Sequence, residues 1–139
     1  MPLSPQRRLA AMALAAALVL VVIAIAALVT RHPPTRVDRA RALVADDARF
    51  STAEETGVTF IGVAQLLRDE GESCLKRKGA TASTCASFFS GSAYAQVSAV
   101  QVLNCTRPGV FDAREAMRRY LEDIARGRDS SVPAAVTCR

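Results

Sequence analysis

The chain has 139 residues, 50% of them hydrophobic, with one histidine, no tryptophan and a formal net charge of +5. Arg7, Arg8 and Arg31 flank an apolar stretch; without them the 18 basic residues become 15, against 13 acidic ones, a net of +2. That remainder is interspersed along helix-like segments, which excludes a basic footprint for nucleic acid and leaves no nucleic-acid partner to expect.

Residues 1–8 form a short tail with the positive pair Arg7-Arg8. Leu9 to Val29 then runs for 21 residues without charge, proline or glycine. At ~1.5 Å per residue such a helix measures ~31 Å, about the hydrocarbon thickness of a bilayer. The stretch reads as an uncleaved transmembrane signal-anchor, with the tail in the cytoplasm and the rest of the chain outside. The alternative is secretion after cleavage of a signal peptide at Ala24-Ile25-Ala26. The apolar run continues past that site to Val29, longer than the usual ~7–15-residue signal core. Ala13 and Ala17 make a small-xxx-small pair, which offers a homodimer contact through the span.

Residues 30–35 are a spacer. Pro33 and Pro34 stop the helix, because proline lacks an N–H and turns its predecessor away from the helical region. Residues 36–139 form one extracytoplasmic domain. Thr35 is the expected N-cap of a first helix over 36–49, with Val37, Ala40, Val44 and Ala48 at helical spacing. Ser51-Thr-Ala-Glu54 is a capping-box pattern that opens a second helix over 52–70, with Phe60, Val63, Ala64 and Leu67 as its apolar face. Gly57 and Gly62 allow close helix contact there. Asp69, Glu70 and Glu72 read as its solvated acidic end. Lys76-Arg77-Lys78 lie in a solvated loop.

Ser83 or Thr84 caps a third helix to Asn104. Phe88, Phe89, Ala93, Val97, Val100 and Leu103 are its expected apolar face, crowded by small residues. Arg107-Pro108-Gly109 is a turn. Asp112 then caps a fourth helix over 113–126, whose face is Ala113, Met117, Tyr120, Leu121 and Ile124. Glu115–Arg119, Arg118–Glu122 and Arg119–Asp123 support it at i,i+4, and Gly127 ends it. The expected fold is all-α: one N-terminal transmembrane helix, then a small disulfide-stapled bundle of about four helices.

The four cysteines, Cys74, Cys85, Cys105 and Cys138, all follow the apolar stretch. An even number in a small exported domain points to two disulfides. Cys85 and Cys105 bracket one helix and stand ~30 Å apart, too far to bond. Cys74 ends one helix and Cys85 begins the next, so Cys74–Cys85 closes a hairpin. Cys105–Cys138 then pins the tail. No spacing is C-x-x-C, and His32 sits at the end of the apolar stretch, so no metal or cofactor site is expected.

No catalytic set emerges either. Adjacent carboxylates, as in Asp46-Asp47 and Glu54-Glu55, point to different sides of a helix. The sequence therefore reads as a non-enzymatic binding or assembly module of the cell envelope with an envelope protein partner. The alternatives are an exported thiol/disulfide-active protein and a carrier of a small apolar ligand. Asn104-Cys105-Thr106 matches a glycosylation sequon, idle if Cys105 is bridged.

Cys85-Ala-Ser-Phe-Phe, Ala93-Tyr-Ala-Gln-Val and Cys105-Thr-Arg-Pro-Gly, in an Ala- and Arg-rich chain, resemble small uncharacterised membrane-anchored exported proteins of high-GC bacteria. The resemblance implies a place in the cell envelope and carries no activity.

Overall fold

The computed structural model describes residues 5–29, 33–104, 110–128 and 130–133, with side chains in the first and last helices described over 13–28 and 113–125. The helices are α1 (Pro5–Val29), α2 (Arg36–Ala45), α3 (Ala53–Leu75), α4 (Ala82–Asn104) and α5 (Val110–Ala125), with a 3-10 turn at Asp47–Phe50. Among the described residues there is no strand. The chain divides into two units, Met1–Pro33 and Pro34–Arg139.

In the first unit, α1 is a continuous helix of 25 residues. Every described side chain is exposed, the large aliphatic ones by 54–69%. Among the described residues no helix is long and apolar enough to cross a membrane. The expected transmembrane helix over 9–29 is therefore not supported by the described residues.

The second unit is an all-helical bundle. Thr35 caps α2 through a reciprocal box with Asp38: the Asp38 N–H donates to Thr35 Oγ1 at 3.1 Å, and the Thr35 N–H to Asp38 at 3.0 Å. This contact holds the Asp38 carboxyl below its usual range. The helix stops at Ala45, four residues before the expected end at 49. Asp46 turns extended (φ −79°, ψ 108°), and its carboxylate accepts the Ala48 N–H at 3.2 Å, so the chain tightens into the 3-10 turn.

Arg114 of α5 closes that break. Its guanidinium donates to the Val44 carbonyl at 2.8 Å and the Ala45 carbonyl at 3.0 Å, and pairs with Asp47 at 2.6 Å. It also stacks 4.6 Å from the Phe50 ring centroid. The orphan carbonyls at the α2 end thus gain partners from 70 residues away. A lysine cannot fork in this way. Arg114→Lys should lose about 1–2 kcal/mol and Arg114→Ala more, read as urea midpoints.

The α3 N-cap is Thr52 rather than Ser51. Ser51 is already helical (φ −76°, ψ −29°) as the end of the 3-10 turn, whereas Thr52 is extended (φ −129°, ψ 162°) and accepts the Glu55 N–H at 3.1 Å. The capping pattern is shifted by one residue, with the Ser51 hydroxyl on the Glu55 carboxylate. Likewise α4 starts after Thr81: the Thr84 N–H donates to Thr81 Oγ1 at 3.2 Å, and the Thr81 N–H to Thr84 Oγ1 at 2.9 Å.

α3 and α4 run antiparallel, close together. Gly57 faces Leu103, Gly71 faces Phe89, and the Ser92 hydroxyl donates to the Ala64 carbonyl at 2.8 Å. The buried side of α4 is Cys85, Gly91, Ser92, Tyr94, Ala95, Ser98, Ala99 and Val102. That corrects the expected face: Ala93, Val97, Val100 and Leu103 are exposed, and Phe88 and Phe89 only half-buried. Mostly small residues take the interior, because they let the helix axes approach, and Val97, Val100 and Leu103 are left outside.

In α5 the expected face Ala113, Met117, Tyr120, Leu121 and Ile124 is buried in the core with Val44, Phe60, Val63 and Leu67. The helix begins at Val110, so Asp112 lies within its first turn and is not the N-cap. Gly127 ends it with φ +65°, while the Arg128 N–H bonds the Asp123 carbonyl at 2.9 Å. Two of the three expected ion pairs form. Asp123 instead lies 3.8 Å from Arg128.

Glu115 receives both Arg118 and Arg119, each at 2.8 Å, which together pull its carboxyl from 4.5 down to about 2. A carboxylate depressed by folding adds stability that is present above its unfolded value and lost as the pH falls through the folded one. Glu115→Gln should therefore melt below the native chain above about pH 4.5, and the gap should close as the pH approaches about 2. The pair is surface-exposed, so the gap should also shrink with salt. Thermal melts across that range check the sign.

Candidate functional site

Two places on the bundle combine position and chemistry. The first is the closed end of the α3–α4 hairpin. The sulfurs of Cys74 and Cys85 stand 2.03 Å apart, disulfide distance, with their Cα atoms 5.8 Å apart. Cys85 is fully buried and Cys74 nearly so. Cys105 and Cys138 lie outside the described residues, as do His32 and the Arg107–Gly109 turn.

One turn before Cys74, Glu70 is 7% exposed, unlike the solvated end expected from the sequence. Arg77 folds back from the loop to pair with its carboxylate. Arg36 of α2 approaches the same group at 3.5 Å and donates to the Ser73 hydroxyl at 2.9 Å. The burial of a charge is tolerable here because two guanidinium groups meet it. α3 consequently continues to Leu75, past the expected end at 70. Lys76 and Lys78 remain exposed beside Arg77.

An open hollow of about 310 Å³ includes part of this cluster, its lining being Val37, Phe88, Ile124 and Ala125 together with the polar Thr35, Asp38, Glu70 and Arg77. Its charged groups already serve one another or a helix cap. Asp46 and Asp47 are likewise engaged, one on the 3-10 turn and one on Arg114. Glu55 meets Ser51, and Glu54 is exposed. Among the described residues no three His, Cys, Asp or Glu side chains gather as metal ligands.

The second place is the outer surface of the α3–α4 pair. Val97, Val100 and Leu103 of α4 are exposed by 48–59%, and Val58 and Ile61 of α3 by 62% and 45%. Leu103 lies across Gly57, so the two sets adjoin at that end. All 23 residues of α4 are uncharged. Sequence reasoning placed these α4 residues in the core and missed this surface. The signal was present in the parallel run Cys85, Ser92, Ala95, Ala99, Val102, a second stripe at helical spacing made mostly of small residues.

No family model matches the chain, and no curated protein or solved structure is found to match it.

Proposed function

We propose that the chain is a membrane-anchored helical module, exposed outside the cytoplasm, that works at the cell envelope by non-enzymatic binding and assembly. The observation that carries the binding part is the charge-free outer face of α4, with Val97, Val100 and Leu103 open to solvent. Exposed aliphatic residues gathered on one face are the usual mark of an interaction site.

The anchor rests on α1. Its uncharged stretch Leu9–Val29 lies within a continuous helix, and every described side chain on it is exposed. Each aliphatic side chain moved from water into lipid is favourable by roughly 1.5–3 kcal/mol, so such a helix has a strong preference for hydrocarbon. The place outside the cytoplasm rests on the Cys74–Cys85 pair, since such bonds persist in oxidising compartments. Burial of both sulfurs supports hairpin closure over thiol exchange, because a working thiol must be reachable.

Crosslinking intact cells with a membrane-impermeant amine reagent tests the reading. Lys76 and Lys78 are exposed for it. A discrete adduct of higher mass is expected in the carbonate-resistant membrane fraction, and Val100→Asp should remove it. Monomer alone at every reagent concentration, or a chain released by carbonate, would contradict it.

A further inference from the structure

The outer face of α4 has an order that goes beyond being apolar. Ala86, Ser90, Ala93, Val97, Val100 and Asn104 follow one another at spacings of four, three, four, three and four residues. That is the 3.5-residue repeat of a helix that packs along a second helix. Five of the six are exposed, and Ser90 is half-buried.

The seam is complementary to itself when reversed. About a two-fold axis at the level of residue 95, Ala86 meets Asn104, Ser90 meets Val100 and Ala93 meets Val97. Every small residue then faces a larger one. In parallel register, small would face small and leave gaps, and valine would face valine.

Charge follows the same two-fold. α3 lies beside α4 and opens with the exposed pair Glu54-Glu55, while the far end of the hairpin carries Arg68, Lys76, Arg77 and Lys78 against Asp69, Glu70 and Glu72 and is net basic by one charge. Antiparallel pairing of α4 brings the acidic end of one copy to the basic end of the other. A parallel pairing brings like to like. The seam also lacks the lysine and arginine with which interfacial helices meet anionic lipid.

We propose that the partner on this face is a second copy of the same chain, docked antiparallel through α4 as an isologous dimer. This rests on the binding-module reading and names its partner. The contact differs from the Ala13–Ala17 contact suggested in α1.

The test uses the full chain in detergent micelles, with mass read by sedimentation. The native chain should be a dimer. Val97→Glu buries an unpaired charge in the seam and should weaken the dimer by about 100-fold or more. Because Val97 is exposed, the fold should persist, with Cys74 and Cys85 still closed to alkylation. Adding Ala93→Lys to Val97→Glu should restore the dimer, since the two substituted positions face each other across the axis twice. A monomeric native chain, or a dimer indifferent to Val97→Glu, would overturn the proposal.

A photo-crosslinking residue in place of Val100, used in native membranes, separates the two levels. An adduct of twice the chain mass, mapped near Ser90, supports the dimer. An adduct to a different protein overturns the second copy and leaves the binding module standing. Lipid adducts alone, or no adduct, overturn both.

Discussion

Gly91→Ala should destabilise the bundle by about 2–3 kcal/mol, although alanine is the better helix former by ~1 kcal/mol. A Cβ at Gly91 would lie 2.5 Å from Tyr120 Cε1 and 3.0 Å from Leu67 Cδ1. Neither obstacle can swing aside. Tyr120 and Leu67 are among the largest fully buried side chains, and the Tyr120 hydroxyl donates to the Ser87 carbonyl at 2.5 Å. The cost is overpacking in a core whose atoms have nowhere to go. Gly62→Ala is the control with the opposite sign. Its nearest obstacle is Leu43 Cδ1 at 3.4 Å, ordinary contact, so the helix gains up to ~1 kcal/mol. At ~4–8 °C per kcal/mol for a domain of this size, the two melting curves should move visibly in opposite directions. Two variants moving together would mean that α4 does not approach α5 as closely as Gly91 implies.

Replacing both Cys74 and Cys85 by alanine should cost about 3 kcal/mol, the closure entropy of a loop of about a dozen residues. The two cysteines are separated by 11 positions. The loss should extend beyond the loop. Arg77 lies inside it and reaches Glu70, so freeing the hairpin end loosens one of the two guanidinium groups that make the burial of Glu70 tolerable. Urea unfolding measures the drop. Glu70→Ala in the bridged chain separates the electrostatic part from the closure part. In the native chain, mild reductant without denaturant should leave the bond intact, because both sulfurs are buried. Rapid reduction under those conditions would favour a thiol-active protein.

The legibility of each helix in the sequence followed the contrast between its faces. In α5, Arg118, Arg119 and Glu122 alternate with Met117, Tyr120 and Leu121, so one face can only be the wet one. The buried set there was readable residue by residue. α4 has no charge to mark a wet side, and two stripes compete for the core. Volume decided between them: Gly91, Ser92 and Ala95 let α3 and α5 come close, and a core built on Val97 and Val100 would hold them apart. Helix ends failed for a different reason. Asp46 and Ser51 fit helical and capping patterns, but their backbone angles belong to the 3-10 turn, which is secured by Arg114 from the far end of the chain. Glu70 was misread for a related cause: of its two partners, Arg36 lies 34 residues away, and Arg77, seven residues on, reaches it only because the loop folds back. The second bridge expected from the sequence, Cys105–Cys138, falls outside the described residues.

The most direct measurement is the intact mass of the chain extracted from its native membrane and alkylated without reduction, with peptide mapping of Cys74 and Cys85. An anchored, oxidised module gives the full-length mass in the carbonate-resistant fraction, with neither cysteine alkylated. A mass lacking the residues through Ala26 would make it a secreted protein. Alkyl groups on Cys74 and Cys85 would contradict the closed hairpin on which the extracytoplasmic reading rests.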